Sequence, residues 1–429
     1  MNLWEETLFF NTPERAALDT QIDADVVIIG GGFTGLWSAY HLKALDPSLR
    51  IVVLEAERIG FGASGRNGGW ASALYPTTVG YSEVRPHLLN SIDEIGAFVH
   101  HHAAHVGFVK SGTLTVARNR AQLRRLATTL TPDSQFLSKS EMESRIKMRG
   151  GLGGTYTPDC AVIHPGRLVR ALAEYVEKSG VRIYEKSRAL SIESNLVSTK
   201  TGSVRAPSII KATEVYAQNP RSHAPIYSLM VATEPLSAEV WSEIGLAHRE
   251  TFSEALHLVN YGQRTLDDRL AVGGRGARYL FGSRLREKHE LDHKVHSEII
   301  ELVRDWFPVL KRTKFTHRWG GAVSIPRDWH PYICWDKSSG IGRAGGYSGD
   351  GVTLSHLAGK TLAHLILERD EPITSLPHVN WINPHWEPEP LRWLGVNGSV
   401  FATDLADREE ALTKRPSLIA KALESFIRV

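Results

Sequence analysis

Cysteine is nearly missing, with two residues in 429, Cys160 and Cys334. Two isolated thiols exclude a disulfide framework, and neither lies in a C-x-x-C pair. Long apolar runs are missing too. Stretches such as Val26–Ile29 and Ile51–Leu54 have strand length, far short of the ~20 residues of a membrane helix. An excess of either charge is absent: 50 Lys and Arg face 47 Asp and Glu, a net +3. No basic patch marks a nucleic-acid or anionic-membrane partner. The opening "MNLWEETLFFNTPERAALDT" lacks a basic start and an apolar core, so it does not read as a secretory leader. These absences lead us to expect a soluble, cytoplasmic protein with neither a membrane span nor a nucleic-acid partner.

Glycine is plentiful, at 37 residues, and it clusters in three places. The first cluster lies in "DADVVIIGGGFTGLWSAYHLKALDPSLRIVVLEAE". A short β-branched strand, Val26–Ile29, runs into G-x-G-x-x-G, with Gly30, Gly32 and Gly35 around Phe33 and Thr34. A helix follows whose small face (Gly35, Ser38, Ala39, Leu42) repeats at helical spacing. Asp46-Pro47 ends it, and a second strand stops at Glu55, twenty residues past Gly35, followed by Ala56. Gly30 permits a tight turn, Gly32 lets a pyrophosphate approach, and Gly35 lets helix and strand touch. The helix N-terminus then holds the phosphates, and Glu55 accepts from the ribose hydroxyls. An acid at that position disfavours a 2′-phosphate.

This unit by itself does not separate FAD from NAD. The second cluster, "GFGASGRNGGW" at 60–70, begins five residues after Glu55 and spans the same crevice. A flavin stretched across the fold needs such a second close backbone approach. The candidates there are Gly62, Ala63, Ser64, Gly65, Asn67, Gly68 and Gly69, with Ser64 and Asn67 as donors. The third cluster, "RAGGYSGDGVTLSHLAGK", again feeds a helix start, through Gly346, Ser348, Gly349, Asp350, Gly351 and Val352. The positive end of a helix stabilises negative charge on a reduced flavin.

With these three stretches, "HPGRLVRALAEYVEKSGVRIYEKS" and "RWGG" at 318–321, the chain resembles the D-amino-acid-oxidase-type family of FAD-dependent oxidoreductases over about residues 1–370. "GASGRNGG" and "GYSGDGV" are most similar to its γ-glutamylputrescine oxidoreductase branch. The resemblance implies an α/β fold: a Rossmann-like FAD-binding domain (1–80, 155–224, 318–375) interleaved with a mixed-sheet α+β substrate domain (81–154, 225–317). The tail, 376–429, is expected to pack on the FAD domain. The resemblance also implies adenine contact at Ala189, a cofactor-lining turn at Ala212-Thr213, and hydride transfer from the carbon of a C–N bond to flavin. The resulting imine is hydrolysed by water. The acceptor is then O₂ or an electron carrier, and the third alternative is a non-catalytic flavin module.

Two departures bear on substrate. Glycine-oxidase-like members carry carboxylate-binding arginines at places where this chain has "GGAVSIP" and "GYSGDGV". Their loss favours an amine whose reacting carbon bears no carboxylate. Arg275, Arg278 and Arg284 lie on the expected roof, either as a solvated face or in contact with an acidic group at the substrate's far end. Tyr261, Trp319 and Tyr347 are further cavity candidates, and the role of Asp350 stays open. The segments where relatives attach FAD covalently hold no cysteine or histidine here, so FAD is expected to bind non-covalently. "HHHAAH" at 100–105 lacks an H-E-x-x-H pattern and reads as a surface helix, and no metal is expected.

Overall fold

The computed structural model describes every residue except 1, 9–13, 129, 132, 194, 218–220, 277 and 428–429, and describes Arg275 and 424–427 by backbone alone. Its central element is a six-stranded sheet. Ser208–Lys211, Val26–Ile29, Ile51–Leu54 and Arg182–Tyr184 run parallel, with Ile341–Gly345 parallel on the other flank and Tyr332–Asp336 antiparallel at the edge. Strand alternation sends Val26, Ile28, Ile51 and Val53 to one face and Val27, Ile29, Val52 and Leu54 to the other. The first face packs on helices Phe33–Leu45, Tyr81–His102, Pro165–Lys178 and Gly351–Ile366. The second packs on a four-stranded sheet built from Gln21–Asp23 and strands between 191 and 205. Burial on both faces explains why these short strands are apolar throughout.

An eight-stranded mixed sheet forms the second half. Its long strands are Ala224–Thr233 and Phe315–Ile325, paired antiparallel along nearly their whole length. Leu229 and Val231 point to helix His293–Trp306, whereas Met230, Ala232 and Trp319 point to Leu3 and Trp4. Two of its strands form a hairpin: Asn260–Arg264 pairs with Leu270–Arg275 across a turn in which Asp268 has φ +58°. The boundary expected at residue 318 falls inside Phe315–Ile325, which belongs wholly to this sheet. The one expected at 155 falls inside Gly153–Thr157, another of its strands.

The tail departs from the expected packing. Residues 378–381 follow the Tyr332–Asp336 edge, where Ile333 N donates to His378 O (2.9 Å). Helix Leu391–Thr413 instead docks on the eight-stranded half. Asp407 accepts from the amides of His257 and Leu258, and Glu410 pairs with Arg125 and His257. The physical reason is charge: the helix carries carboxylates to a spot where a guanidinium and two strand-end amides need acceptors. The Glu410 side chain is only 2% exposed. Removing one partner of a buried pair costs roughly 3–5 kcal/mol. Because Arg125 is partly exposed, we expect Glu410→Ala to destabilise by about 3 kcal/mol in a urea titration and to open the 391–413 helix to protease.

Candidate functional site

The first glycine turn is set by close approaches. Gly30 has φ +112°, and a Cβ there would lie 2.4 Å from Ala212 O. A Cβ on Gly35 would lie 2.1 Å from Gly30 O and 3.0 Å from Ile28 Cγ2. The helix can therefore begin directly over the strand end only without these side chains. Its cap is Gly32, which has no side chain to occupy the first-turn amides, so the positive end remains available to an anion. Glu55 accepts from Gly31 N (2.7 Å) and Glu57 N (2.9 Å). Burial pushes its carboxyl up, against those two amides. Glu55 is thus a brace for the glycine turn as well as the expected ribose acceptor. Half-buried Ala56 follows it. Ser187 N donates to Glu55 O (2.8 Å), whereas Ala189 packs part-buried on the cluster containing Val27 and Val52.

The second loop repeats the device. Ala63–Gly65 is one tight turn, and a Cβ on Gly65 would lie 2.2 Å from Gly60 O. Ser64 Oγ accepts from Phe33 N (2.9 Å), joining this loop to the first helix. Asn67, expected to face the cofactor, instead shapes the loop: its amide donates to Ala63 O and Ser64 O and accepts from Gly69 N. Side chains from elsewhere hold four successive carbonyls. Asn2 donates to Gly65 O (3.0 Å), Trp319 to Arg66 O (3.0 Å), Trp4 to Asn67 O (2.9 Å) and Gln263 to Gly68 O (2.5 Å).

The third loop closes on the other two. The Tyr347 hydroxyl meets Thr34 Oγ1 at 2.9 Å, and Tyr347 N donates to Glu214 Oε1 (3.2 Å). Gly346, Ser348 and Gly349 are left-handed, at φ +75°, +53° and +112°. Asp350 caps helix Gly351–Ile366 without a side-chain bond to it, and Val352 is buried in the first turn. Glu214 follows Ala212-Thr213. The residue is half-buried, but its Oε2 is buried without a partner among the described residues, and desolvation pushes the carboxyl up to about 7.

The expected cavity residues divide. Tyr261 is half-buried, its hydroxyl bonded to Ser228 Oγ (2.8 Å), its ring edge-on to Trp70 and close over Gly68. Trp319 and Tyr347 are buried struts holding the glycine loops. Arg275 ends strand Leu270–Arg275, and its side chain lies outside the described residues. Arg278 and Arg284 are exposed on the following loop. His100, His101 and His102 end helix Tyr81–His102, exposed, with His105 in the next turn. Sequence reasoning missed Asn2, Trp4, Gln263 and Glu214.

Three glycine loops, two uncapped helix starts and an acid at the second strand end make a cradle that fits an extended dinucleotide. The profile of the family described as FAD dependent oxidoreductase matches residues 25–365. The chain belongs to that family. As an FAD-dependent oxidoreductase it is 29% identical to a probable oxidoreductase OrdL of Rhizobium meliloti, covering 87% of this chain and 90% of the relative. It is 28% identical to gamma-glutamylputrescine oxidoreductase of Escherichia coli, covering 84% and 88%. Among solved structures it is similar to glycine oxidase from Geobacillus kaustophilus, with TM-score 0.68, 19% identity, and 81% and 96% covered. L-proline dehydrogenase from P. horikoshii gives TM-score 0.69 at 17% identity, covering 83% and 96%. These structures share the Rossmann-like and mixed-sheet fold.

Two outcomes are expected for this FAD-dependent oxidoreductase. Glu55→Ala loses both the brace and a charge-assisted bond of about 1.5–3 kcal/mol, so FAD affinity measured on apoprotein falls roughly 10- to 150-fold or more. Glu214 is neutral below about 7 and anionic above it. An acid whose native-state value is raised destabilises the site as pH rises from its unfolded value through the native one. The protein therefore loses stability as pH rises from about 4.5 to about 7, read as a falling Tm over that range, and Glu214→Gln, neutral throughout, flattens the profile.

Proposed function

We propose that this oxidoreductase oxidises the C–N bond of an amine whose reacting carbon carries no carboxylate, with FAD held non-covalently in the cytoplasm. The observation that carries the substrate reading is the chemistry at two places that flank the cradle. Strand Phe315–Ile325 presents part-buried Val323, and the third loop presents Gly349. Neither offers a guanidinium to clamp an α-carboxylate. The curated relative of 28% identity, named for γ-glutamylputrescine, supports an amine with a distant acidic group. Bound FAD supplies the hydride acceptor. The chain's own residues hold the amine: Tyr261, fixed by Ser228, with Trp70 at its edge, forms a polar-tipped aromatic wall beside the second glycine loop. Arg278 and Arg284, exposed on the loop that follows strand Leu270–Arg275, meet the acidic end of the longest substrates. The imine product is hydrolysed by water to a carbonyl compound and an amine or ammonia.

Non-covalent attachment rests on the thiols. Cys160 is fully buried, and burial pushes its thiol up to about 12. Cys334 donates to Trp381 O on the outer edge strand. Neither belongs to a glycine loop. O₂ and an electron carrier remain alternative acceptors.

The test is a panel of kcat/KM values. A γ-glutamylated diamine is expected to exceed glycine and D-alanine at least tenfold, with Arg278→Ala and Arg284→Ala losing rate on the acidic substrate alone. Glycine or D-alanine ahead by tenfold overturns the substrate reading. Acid precipitation is expected to release all the flavin as FAD, and yellow colour left in the pellet overturns non-covalent attachment.

A further inference from the structure

Away from the glycine loops, three helices meet in a cluster that the oxidoreductase chemistry does not use. His41 lies in the last two turns of helix Phe33–Leu45, Glu94 in the middle of Tyr81–His102, and His356 in the second turn of Gly351–Ile366. One ligand atom from each lies within 4.8 Å of the others. His41 is 8% exposed and His356 1%. His41 Nε2 is buried without a hydrogen-bond partner among the described residues. An unsatisfied imidazole nitrogen is costly to bury, so its presence beside a second histidine and a carboxylate calls for an explanation. Glu94 Oε2 lies 3.4 Å from His356 Nε2, and Lys360 holds the other oxygen, Oε1, at 2.6 Å. That arrangement leaves Oε2 directed at the histidine pair.

We propose that His41, Glu94 and His356 form a divalent transition-metal site of the zinc type, a structural clasp on the back of the FAD-binding half. Two imidazoles and one carboxylate are a donor set that zinc accepts, with water in the fourth position on the side where Glu94 reaches solvent. Tetrahedral ligands at about 2.0–2.1 Å lie ~3.4 Å apart, so the side chains need to close by little more than an ångström. Lys360 plays the outer role of orienting the carboxylate. Its ammonium also opposes the cation and weakens the site. The clasp joins the two helices whose N-termini face the cofactor cradle to the long helix Tyr81–His102 packed against them.

The test uses FAD-loaded protein, stripped with chelator and titrated with Zn²⁺ by calorimetry and by thermal melting. One high-affinity equivalent and a raised Tm are expected. Glu94→Gln and His41→Gln should each weaken binding at least tenfold, and Lys360→Met should tighten it. Flavin content reports that each variant is folded. Glu94 is partly exposed, so its variant remains informative if His41→Gln fails to fold. Equal zinc affinity in wild type and Glu94→Gln, as binding to exposed His100–His102 would give, overturns the proposal. So does the absence of any saturable binding to the wild type.

Discussion

Four consecutive carbonyls, from Gly65 to Gly68, each accept a hydrogen bond from a side chain on another part of the chain. The donors come from the N-terminal turn, from strand Phe315–Ile325 and from strand Asn260–Arg264. A loop so rich in glycine loses much backbone entropy on ordering. Of its own side chains, Ser64 and Asn67 make bonds that offset part of that loss. The external donors supply what the loop lacks, and they do so from the roof sheet and the N-terminus together. The position of the roof relative to the nucleotide crevice, and so the shape of the substrate cavity, follows from these four bonds.

The same logic governs the two helices that point at the cofactor. Helix Phe33–Leu45 and helix Gly351–Ile366 cross so closely that a Cβ on Gly359 would lie 2.6 Å from Ser38 N. At their N-terminal ends the Tyr347 hydroxyl meets Thr34. The positive ends are thereby fixed with respect to each other before any ligand arrives. Electrostatic stabilisation by fixed dipoles requires such preorganisation. Among the described residues no helix is long and apolar enough to cross a membrane. The eight-stranded sheet spends one face on helix His293–Trp306 and the other on the cradle.

What was legible in the sequence was local. Gly30, Gly32, Gly35 and Glu55 occupy one strand–turn–helix–strand unit, where spacing alone encodes geometry. Contacts that join distant segments were not. Trp4 and Asn67 are 63 positions apart, and Tyr347 and Thr34 313 apart. Trp319 and Tyr347 were recognised as site residues but read as cavity lining, because an aromatic near glycine looks alike whether it faces a cavity or braces a loop. Asn67 was read as a ligand donor, whereas its amide closes on its own backbone. The helix Leu391–Thr413 of the tail was misplaced because its anchoring partners, Arg125 and His257, lie on elements far from it in sequence. Glu214 escaped notice because a single glutamate becomes unusual only once its carboxyl is buried.

The central claim is that this cradle holds FAD so that an amine can reduce it. The direct measurement is anaerobic mixing of the FAD-loaded protein with a panel of amines, following the yellow flavin band. The account predicts rapid bleaching by at least one amine lacking an α-carboxylate, with colour restored by air or by an added electron carrier. A protein that binds FAD fully yet is bleached by no amine, in the presence of intact Tyr261 and Glu214, would contradict it.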